Sequence, residues 1–434
     1  MGGFAGDALS IPASETRLSR WHPYPAMIPD ELATELASLH VTRGCKVLDP
    51  FCGSGRLLMA AAAKGADCLG FDVNPLARLL SEAKAAPACL SILRAISLEA
   101  KSLRRPTAGI PLKLRYPSKV EWFSEGVLVE LAAILNWING LKLGFSERLV
   151  MATALSGATR DASWMRKSGW KLHRVQPLER AHWKASAWDR LVSRLDHYIE
   201  HSPRILLTGS TKILGFSCSS VEARDTVAGD RFDVVLTSPP YGDSRTTVQY
   251  GGASGLCLDV VTRIEGLEDR YSMGSGIDAS CLGGVHRFSH GSDEPLRRYW
   301  AGGARSEAIS KVTSFLYDFA ESCRTISAGL APGGTAVLVL GRRSVSGFRL
   351  KLDHFASDVM ATQELQLTSV NRRQLRQKRV PTRINRFARS NCAAQRARGS
   401  AKTMHEEIIL TFRRPCIPHA PPKSAATLTL EAAR

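Results

Sequence analysis

The sequence predicts an α/β fold built on a mostly parallel, doubly wound sheet with helices on both faces, and three segments carry this prediction. Residues 45–72 have the pattern of a strand, a glycine turn, an alanine-rich helix and a second strand, which is the repeating unit of a parallel sheet. The apolar runs FDVVLT at 232–237 and TAVLVLG at 335–341 are typical of further buried strands.

Local start and stop signals divide the N-terminal part of the chain. Residues 1–18 are small and polar and predict a flexible arm. An extended loop with three prolines follows, and Pro29 begins the amphipathic helix DELATELASL. The strand CKVLDP then breaks into the turn FCGSG, the helix RLLMAAAAKG follows, and the strand CLGF ends at Asp72.

The rest of the chain predicts a sheet domain interrupted by a helical insertion. The apolar period of EGVLVELAAILNWINGL marks 86–204 as mainly helical, so the sheet domain comprises 19–85 and 205–412. Within that domain, 242–305 is rich in Gly, Ser and His and predicts a long loop region. HEEIILTF predicts a last strand, and the Pro/Ala-rich residues 413–434 predict a disordered tail.

The charge of the chain indicates a polyanionic partner. The 434 residues include 58 Lys and Arg against 40 Asp and Glu, a formal net charge of +18. Ten of the cations lie in a basic segment, 371–400, that contains no acid, so phosphates or solvent must take up their charge. A second basic stretch, 160–190, carries four tryptophans, which fits either nucleic-acid stacking or a helical core.

Cysteine usage and hydropathy restrict where the protein works. The ten cysteines form no Cys-x-x-Cys pair and no Cys/His cluster at zinc spacing, so we expect reduced thiols and no metal site. Because the N-terminus lacks a signal-peptide core and no apolar run approaches the roughly 20 residues that cross a bilayer, we expect a cytoplasmic protein without membrane contact.

The glycine turn lies where a doubly wound sheet binds ligands, at the carboxyl end of its first strand. A dinucleotide-binding loop needs a third glycine where this chain has Leu58, and the Gly-Lys-Ser/Thr of a Walker loop is absent. Asp72, at the tip of the second strand, is placed to accept hydrogen bonds from ribose hydroxyls, or else caps the helix after it. The turn therefore predicts a site for a nucleoside without a pyrophosphate.

A second strand end, VLTSPPYG at 235–242, presents a rigid polar ledge. Pro239 and Pro240 fix their own φ and supply no N–H, and each forces the residue before it into extended geometry. The carbonyl groups therefore point in preset directions, which is a form of electrostatic preorganisation.

Both strand ends resemble motifs of the amino-group DNA methyltransferases. DPFCGSG at 49–55 is similar to their S-adenosylmethionine-binding motif, and TSPPY at 237–241 is similar to their catalytic motif in its cytosine-N4 form. His22 to Pro29 resembles the segment that lines the methionine end of the cofactor in some members. The resemblance implies a Rossmann-like class I methyltransferase sheet, S-adenosyl-L-methionine as cofactor and double-stranded DNA as partner, together with a cognate restriction endonuclease as a possible second partner.

The resemblance also assigns roles to particular residues. Glu222, with Asp225 as a competitor, falls where an acid meets the adenine amino group of the cofactor. The cofactor-binding residues are then Tyr24, Asp49, Pro50, Phe51, Cys52, Gly53, Gly55, Asp72 and Glu222, and the catalytic residues are Ser238, Pro239, Pro240 and Tyr241. The predicted nucleic-acid contacts are Arg245, Arg372, Arg373, Arg376, Lys378, Arg379 and Arg383.

The chemistry of an exocyclic amino group explains these residue types. Its nitrogen is a poor nucleophile because the lone pair is delocalised into the ring, so hydrogen-bond acceptors such as Ser238 must favour a tetrahedral nitrogen. Tyr241 can stack on a base flipped out of the duplex. Because Ser238 does not exclude adenine, three alternatives stay open: an adenine-N6 DNA methyltransferase, an RNA base methyltransferase and a catalytically silent nucleic-acid-binding relative.

Overall fold

A computed structural model confirms the α/β fold. It describes residues 21–106, 108–115, 122–166, 173–180, 182–202, 207–242, 250–272, 276–285, 294–301, 306–341, 344–345, 348–374, 383–385, 400–402 and 406–416. In chain order the strands are β1 (Lys46–Asp49), β2 (Asp67–Phe71), β3 (Thr211–Leu214), β4 (Phe232–Thr237), β5 (Trp300–Ala301), β6 (Leu330–Gly341), β7 (Ser344–Val345), β8 (Phe348–Leu350), β9 (Gln366–Gln374), β10 (Arg383–Asn385), β11 (Ser400–Lys402) and β12 (Glu406–Arg413).

Seven of these strands form the central sheet, in the order β3-β2-β1-β4-β6-β12-β9. The neighbours from β3 to β6 pair in parallel, whereas β12 is antiparallel to both β6 and β9. After β3 the chain returns to the other side of β1, so the strand order reverses between β1 and β4. Doubly wound sheets bind ligands at the carboxyl ends of the strands at such a point.

Helices cover both faces of the sheet. They are α1 (Asp30–His40), α2 (Arg56–Ala62), α3 (Pro75–Ala85), α4 (Leu90–Ser102), α5 (Glu125–Gly140), α6 (Phe145–Ala162), α7 (Pro177–Arg180), α8 (Ala187–His201), α9 (Val221–Gly229), α10 (Tyr250–Val261), α11 (Ile277–Ser280), α12 (Ser306–Gly329) and α13 (Leu352–Thr362). Buried residues of α1 and α2 pack with one face of the sheet, and those of α9, α12 and α13 pack with the other. Among the described residues, no helix has the length and apolar character to cross a membrane.

A separate helical core is formed by the insertion together with two helices from outside it. Buried residues of α4, α5, α6 and α8 pack with those of α3 and α10. Trp188 lies in this core, where its Nε1 donates to the carbonyl of Ala100 at 3.0 Å. The core interpretation of the tryptophan stretch therefore applies to Trp188, whereas Trp170 lies outside the described residues.

Four parts of the sequence-based division differ from the structure. The predicted loop region 242–305 contains α10, whose residues from Ala253 onward are buried. Two strands of the sheet are not among those predicted from the sequence. β3 has only four residues, and β9 is too polar to be recognised as a strand from its sequence. Consequently, the predicted basic segment begins inside a strand. Arg413 ends β12, and Nη2 of Arg414 donates to the carbonyl of Ser327 at 2.7 Å, so the folded part extends beyond 412.

The burial of β12 in the sheet leads to a stability prediction. Phe412 is fully buried on β12, whereas Leu367, its cross-strand neighbour on β9, is largely exposed. We expect Phe412→Ala to lower the free energy of unfolding by about 3–5 kcal/mol through the cavity that it leaves. The control Leu367→Ala removes an exposed side chain and should change it by less than about 1 kcal/mol. Urea unfolding followed by circular dichroism measures both, and equal losses would contradict the placement of β12.

Candidate active site

An open cleft of about 1100 Å³, counting the solvent at its mouth, lies at the carboxyl ends of β1 and β4. Its walls come from loops that are far apart in the sequence. The lining residues are Tyr24 to Ile28, Asp49 to Ser54, Arg56, Leu57, Asp72 to Asn74, Phe216 to Cys218, Ser238 to Tyr241, Tyr250 and Ser280 to Leu282. The cleft therefore brings the glycine turn and the Ser-Pro-Pro-Tyr ledge to one place, as the sequence predicts.

Asp72 connects the tips of β1 and β2. Its Oδ2 accepts from the backbone N–H of Gly53 at 2.9 Å, and its Oδ1 accepts from the N–H of Asn74 at 2.8 Å. Burial raises the pKa of this carboxyl to about 6, while the two backbone donors oppose the shift. Each oxygen keeps a second lone pair, because a carboxylate has about four acceptor positions.

The glycine turn depends on the close approach of α3. Gly55 has φ +79° and precedes the first residue of α2, and a Cβ there would lie 2.8 Å from Oγ of Ser81. That hydroxyl donates to the carbonyl of Gly53 at 2.8 Å, and Nζ of the buried Lys84 donates to the carbonyl of Ser54 at 2.6 Å. Burial lowers the pKa of Lys84 to about 7. Gly55 thus shapes the turn from behind and does not line the cleft.

Asp49 joins the two motifs directly. Its Oδ1 accepts from Oγ1 of Thr237 at 2.7 Å and from the N–H of Phe51 at 3.2 Å. The residue is only 2% exposed, and this burial raises the pKa of its carboxyl to about 7. The last residues of β1 and β4 are therefore held together just below the point where each strand opens into its loop.

The catalytic candidates form a compact group beyond Thr237. Oγ of Ser238 lies 3.1 Å from the hydroxyl of Tyr241, within hydrogen-bonding distance. Pro239 is buried, whereas Ser238, Pro240 and Tyr241 are half-buried at the wall of the cleft. The ledge thus exposes a hydroxyl and an aromatic ring on a stiff support.

The N-terminal wall of the cleft is anchored to the helical core. The Tyr24 hydroxyl accepts from Nδ2 of Asn74 at 3.0 Å, and the same amide donates to Oγ of Ser254 on α10 at 2.9 Å. His22 is buried, and its Nε2 lies 2.9 Å from Oγ of Ser156 on α6. Burial lowers the pKa of His22 well below its usual value, so this imidazole is neutral near pH 7. Because His22 is buried against α6 and does not line the cleft, it supports the wall from behind.

Besides Gly55, one more predicted cofactor residue is absent from the lining of the cleft. Glu222 lies exposed in the first turn of α9 and is absent from the lining of the cleft, where Phe216, Ser217 and Cys218 lie instead. Its competitor Asp225 is likewise exposed. Sequence reasoning missed Asn74, although the Asn-Pro pair is a helix-start signal: its Oδ1 accepts from the N–H of Leu76 and caps α3.

The predicted nucleic-acid contacts can be placed only in part. Arg245, Arg376, Lys378 and Arg379 lie outside the described residues, and Arg383 is described only as part of β10. Arg372 and Arg373 lie on β9, where they form ion pairs with Glu406 at 3.4 Å and Glu407 at 3.1 Å. These two arginines therefore belong to the sheet. Within the described part of the chain, no group of His, Cys, Asp and Glu residues suits a metal ion.

Two sequence comparisons relate the chain to DNA methylases. A family model described as DNA methylase matches residues 8–81, which include the predicted Tyr24 segment, the glycine turn and Asp72. The Type II methyltransferase M.MvaI of Kocuria varians is 27% identical over 430 residues, which cover 91% of this chain and 90% of that protein. Both comparisons agree with the predicted methyltransferase chemistry and with S-adenosylmethionine as the methyl donor.

The solved structures that the chain matches weakly include methyltransferases. The rRNA methyltransferase aviRa of Streptomyces viridochromogenes is 11% identical and has a TM-score of 0.33, with 90% of this chain and 88% of that chain covered. A SAM-dependent methyltransferase of Methanosarcina mazei is 8% identical and has a TM-score of 0.31, with 91% and 99% covered. At these TM-scores, the fold rests on the strand order of the chain itself.

The buried Asp49 carboxyl leads to a pH-dependence prediction. Because its pKa is about 7 in the folded protein against 3.8 when solvated, the folded form binds the extra proton between about pH 4 and 7, and stability falls as pH rises through that window. Asp49→Asn keeps the acceptor for Thr237 but cannot titrate. We compare the unfolding free energy of Asp49→Asn with that of the unsubstituted protein at each pH. The difference, variant minus unsubstituted protein, should be about 1–3 kcal/mol larger at pH 8 than at pH 5.

Urea unfolding at the two pH values measures this difference. Asp225→Asn on α9 removes an exposed carboxylate and is the control. An advantage of Asp49→Asn that is the same at both pH values would contradict the raised pKa.

Proposed function

We propose that the protein transfers the methyl group of S-adenosylmethionine to the exocyclic amino group of a base flipped out of duplex DNA, with cytosine N4 as the preferred acceptor. One observation carries this proposal: the glycine turn and the Ser-Pro-Pro-Tyr ledge line a single cleft and are joined by the Asp49–Thr237 hydrogen bond of 2.7 Å. A methyl donor held at the first and an amine held at the second would be adjacent. Such alignment is the main source of rate in a direct displacement.

The donor side of the cleft fits a nucleoside that carries a sulfonium group. The unused lone pairs of Asp72 suit ribose hydroxyls, and Phe51 and Phe216 supply apolar surface between the tips of β1 and β3. Tyr24 is held over the same turn: a Cβ on Gly53 would lie 3.6 Å from its ring. When bound, the cofactor supplies an electrophilic methyl carbon. The protein supplies the fixed position, without a cysteine nucleophile.

The acceptor side fits an amino group. Ser238 and the carbonyl groups before Pro239 and Pro240 accept hydrogen bonds, and no proline N–H competes for the nitrogen lone pair. The ring of Tyr241 offers a stacking surface, and stacking on an aromatic side chain contributes about 1–3 kcal/mol per base, which offsets part of the cost of base flipping. Ser238, where adenine-specific relatives usually carry Asp or Asn, favours cytosine.

The identity of the modified nucleoside tests the proposal. The protein is incubated with labelled S-adenosylmethionine and either duplex DNA or total tRNA, and the nucleosides are identified by mass spectrometry. We expect label in DNA as N4-methylcytosine. N6-methyladenine in DNA would contradict the choice of base, and label in RNA alone would contradict DNA as substrate.

A matched variant controls for contaminating activity in this assay. Ser238→Ala removes an acceptor on the amine side but leaves Asp49, Gly53 and Asp72 in place. It should bind S-adenosylmethionine within about twofold of the unsubstituted protein in calorimetry while transfer falls at least about 100-fold. Equal transfer by both proteins would show that the label comes from elsewhere, and label in neither substrate from an intact protein would favour a silent nucleic-acid-binding relative.

The basic segment generates a prediction on salt dependence. If its cations contact phosphates, replacing Arg376 and Lys378 by Gln should reduce the slope of log affinity against log salt by about 2. Arg43→Gln with Lys64→Gln removes two exposed cations that precede β1 and β2 and should leave the slope unchanged. Fluorescence anisotropy with duplex DNA at several salt concentrations measures both slopes. If the Arg376/Lys378 variant has the same slope as the unsubstituted protein, these two residues do not contact phosphates.

A further inference from the structure

A buried carboxylate, Glu407, lies close to the catalytic ledge although it is 166 residues further along the chain than Tyr241. The strand register shows how. Thr237 on β4 is paired with Leu338 on β6, and Gly341, three residues further along β6, is paired with Glu407 on β12. Glu407 is therefore level with the residues that follow the end of β4, two strands away. Its side chain is only 9% exposed.

The alternation of β12 gives this side chain its direction. Ile409 packs with Leu236 and Val339 on the sheet face covered by α1 and α2, whereas Ile408 packs on the opposite face. Because successive strand residues point to opposite faces, Glu407 shares the face of Ile409 and Leu236. Glu406 points to the other face. The two neighbouring acids thus have the same chemistry and different surroundings.

Glu407 is the inner end of a chain of polar contacts that reaches the cleft. Its Oε2 accepts from Nη1 of Arg373 at 3.1 Å, and the register and face described above bring its carboxylate toward the Tyr241 hydroxyl, whose pKa responds to it through its charge and as a hydrogen-bond partner. That hydroxyl lies 3.1 Å from Oγ of Ser238. Burial first, and then the negative charge of Glu407, raise the pKa of Tyr241, so the phenol stays protonated.

Counting protons along this chain fixes the direction of each hydrogen bond. A carboxylate ion-paired with Arg373 can only accept, so the single proton of the Tyr241 hydroxyl points to Glu407. The phenol oxygen then accepts the proton of Ser238. Both lone pairs of the serine oxygen are left for the cleft, where the proposed reaction needs an acceptor and not a donor. A serine proton directed at the target nitrogen would occupy the lone pair that has to attack.

We propose that Glu407 is a positioning residue that acts through Tyr241 to turn the Ser238 hydroxyl into a dedicated acceptor for the target amine. This inference rests on the proposed amino-methyl transfer. It adds a residue from the last strand of the sheet to the site. It also gives the Tyr241 hydroxyl a role that the stacking of its ring does not require.

A double-mutant cycle tests the proposal. Glu407→Gln keeps the size of the side chain, but its amide can also donate and no longer pairs with Arg373, so we expect kcat to fall about tenfold with the KM for S-adenosylmethionine within about twofold. Tyr241→Phe keeps the ring and removes the hydroxyl, and should show a similar loss. The double variant should be no slower than Tyr241→Phe, because Glu407 acts only through that hydroxyl.

The matched control is Glu406→Gln, which removes the same charge from the neighbouring position and breaks the corresponding pair with Arg372. We expect its kcat to stay within about twofold of that of the unsubstituted enzyme. If Glu407→Gln slows Tyr241→Phe by the same factor as it slows the unsubstituted enzyme, the residue acts on structure alone and the proposal is wrong. Unchanged kcat in Glu407→Gln would overturn it as well.

A spectroscopic readout separates this inference from the proposed function. The Raman Fermi doublet of tyrosine reports whether a phenol donates or accepts, and the difference between the unsubstituted protein and Tyr241→Phe isolates Tyr241. We expect the pattern of a phenol that both donates and accepts, which Glu407→Gln shifts and Glu406→Gln leaves unchanged. Such a pattern in a protein that methylates no nucleic acid would refute the reaction but keep the hydrogen-bond chain, whereas its absence in an active enzyme would refute the chain alone.

Discussion

The hydrogen bond between Thr237 and Asp49 is the contact on which the geometry of the cleft depends. It crosses the point where the strand order reverses, between two adjacent parallel strands. The backbone pairing of β1 with β4 involves Val47 and Leu48. The side-chain bond therefore holds the two strands together closer to their loops than the backbone pairing does. Because alignment within fractions of an ångström governs displacement reactions, the proposed methyl transfer would depend on this buried side-chain bond.

This arrangement costs stability, and the surroundings compensate for the cost. Three ionisable groups are buried around one turn: Asp49, Asp72 and Lys84. Burial raises the pKa of the two carboxyls and lowers the pKa of the lysine, so that it favours the neutral form of each group. Backbone donors on the carboxylates and a backbone acceptor on the lysine give each of these groups at least one hydrogen bond. Buried polar groups that are satisfied in this way hold a loop in one conformation, which preorganises a binding site before the ligand arrives.

The sequence predicts the parts of the fold and site that depend on local pattern. Asp49, Gly53, Asp72 and Ser238 follow from strand ends, because a parallel sheet brings its carboxyl ends together whatever the intervening sequence is. Contacts set by long-range register were not predictable. Glu407 reaches the ledge only through the pairing of β4, β6 and β12, and Glu222 fails because a helix N-terminus can face solvent as readily as a cleft.

Local composition also misleads where tertiary packing overrides it. The glycine-rich YGGASGLCLDVV suggests a loop, yet it forms α10, because small residues allow a helix to pack closely against α3 and α6. β9 has alternating exposure and many polar residues, and only its neighbour β12 makes it a strand. In both places the neighbouring elements determine the structure, and a single sequence does not show which neighbours a segment will have.

The position of Arg373 changes the meaning of the basic segment. Counted from the sequence, its charge belongs to a run of cations available for phosphate. In the structure its guanidinium compensates Glu407, and the neighbouring Arg372 compensates Glu406. The part of the segment on β9 is therefore close to electrically neutral and lies within the sheet, so the proposed phosphate contacts have to come from the cations after Gln374.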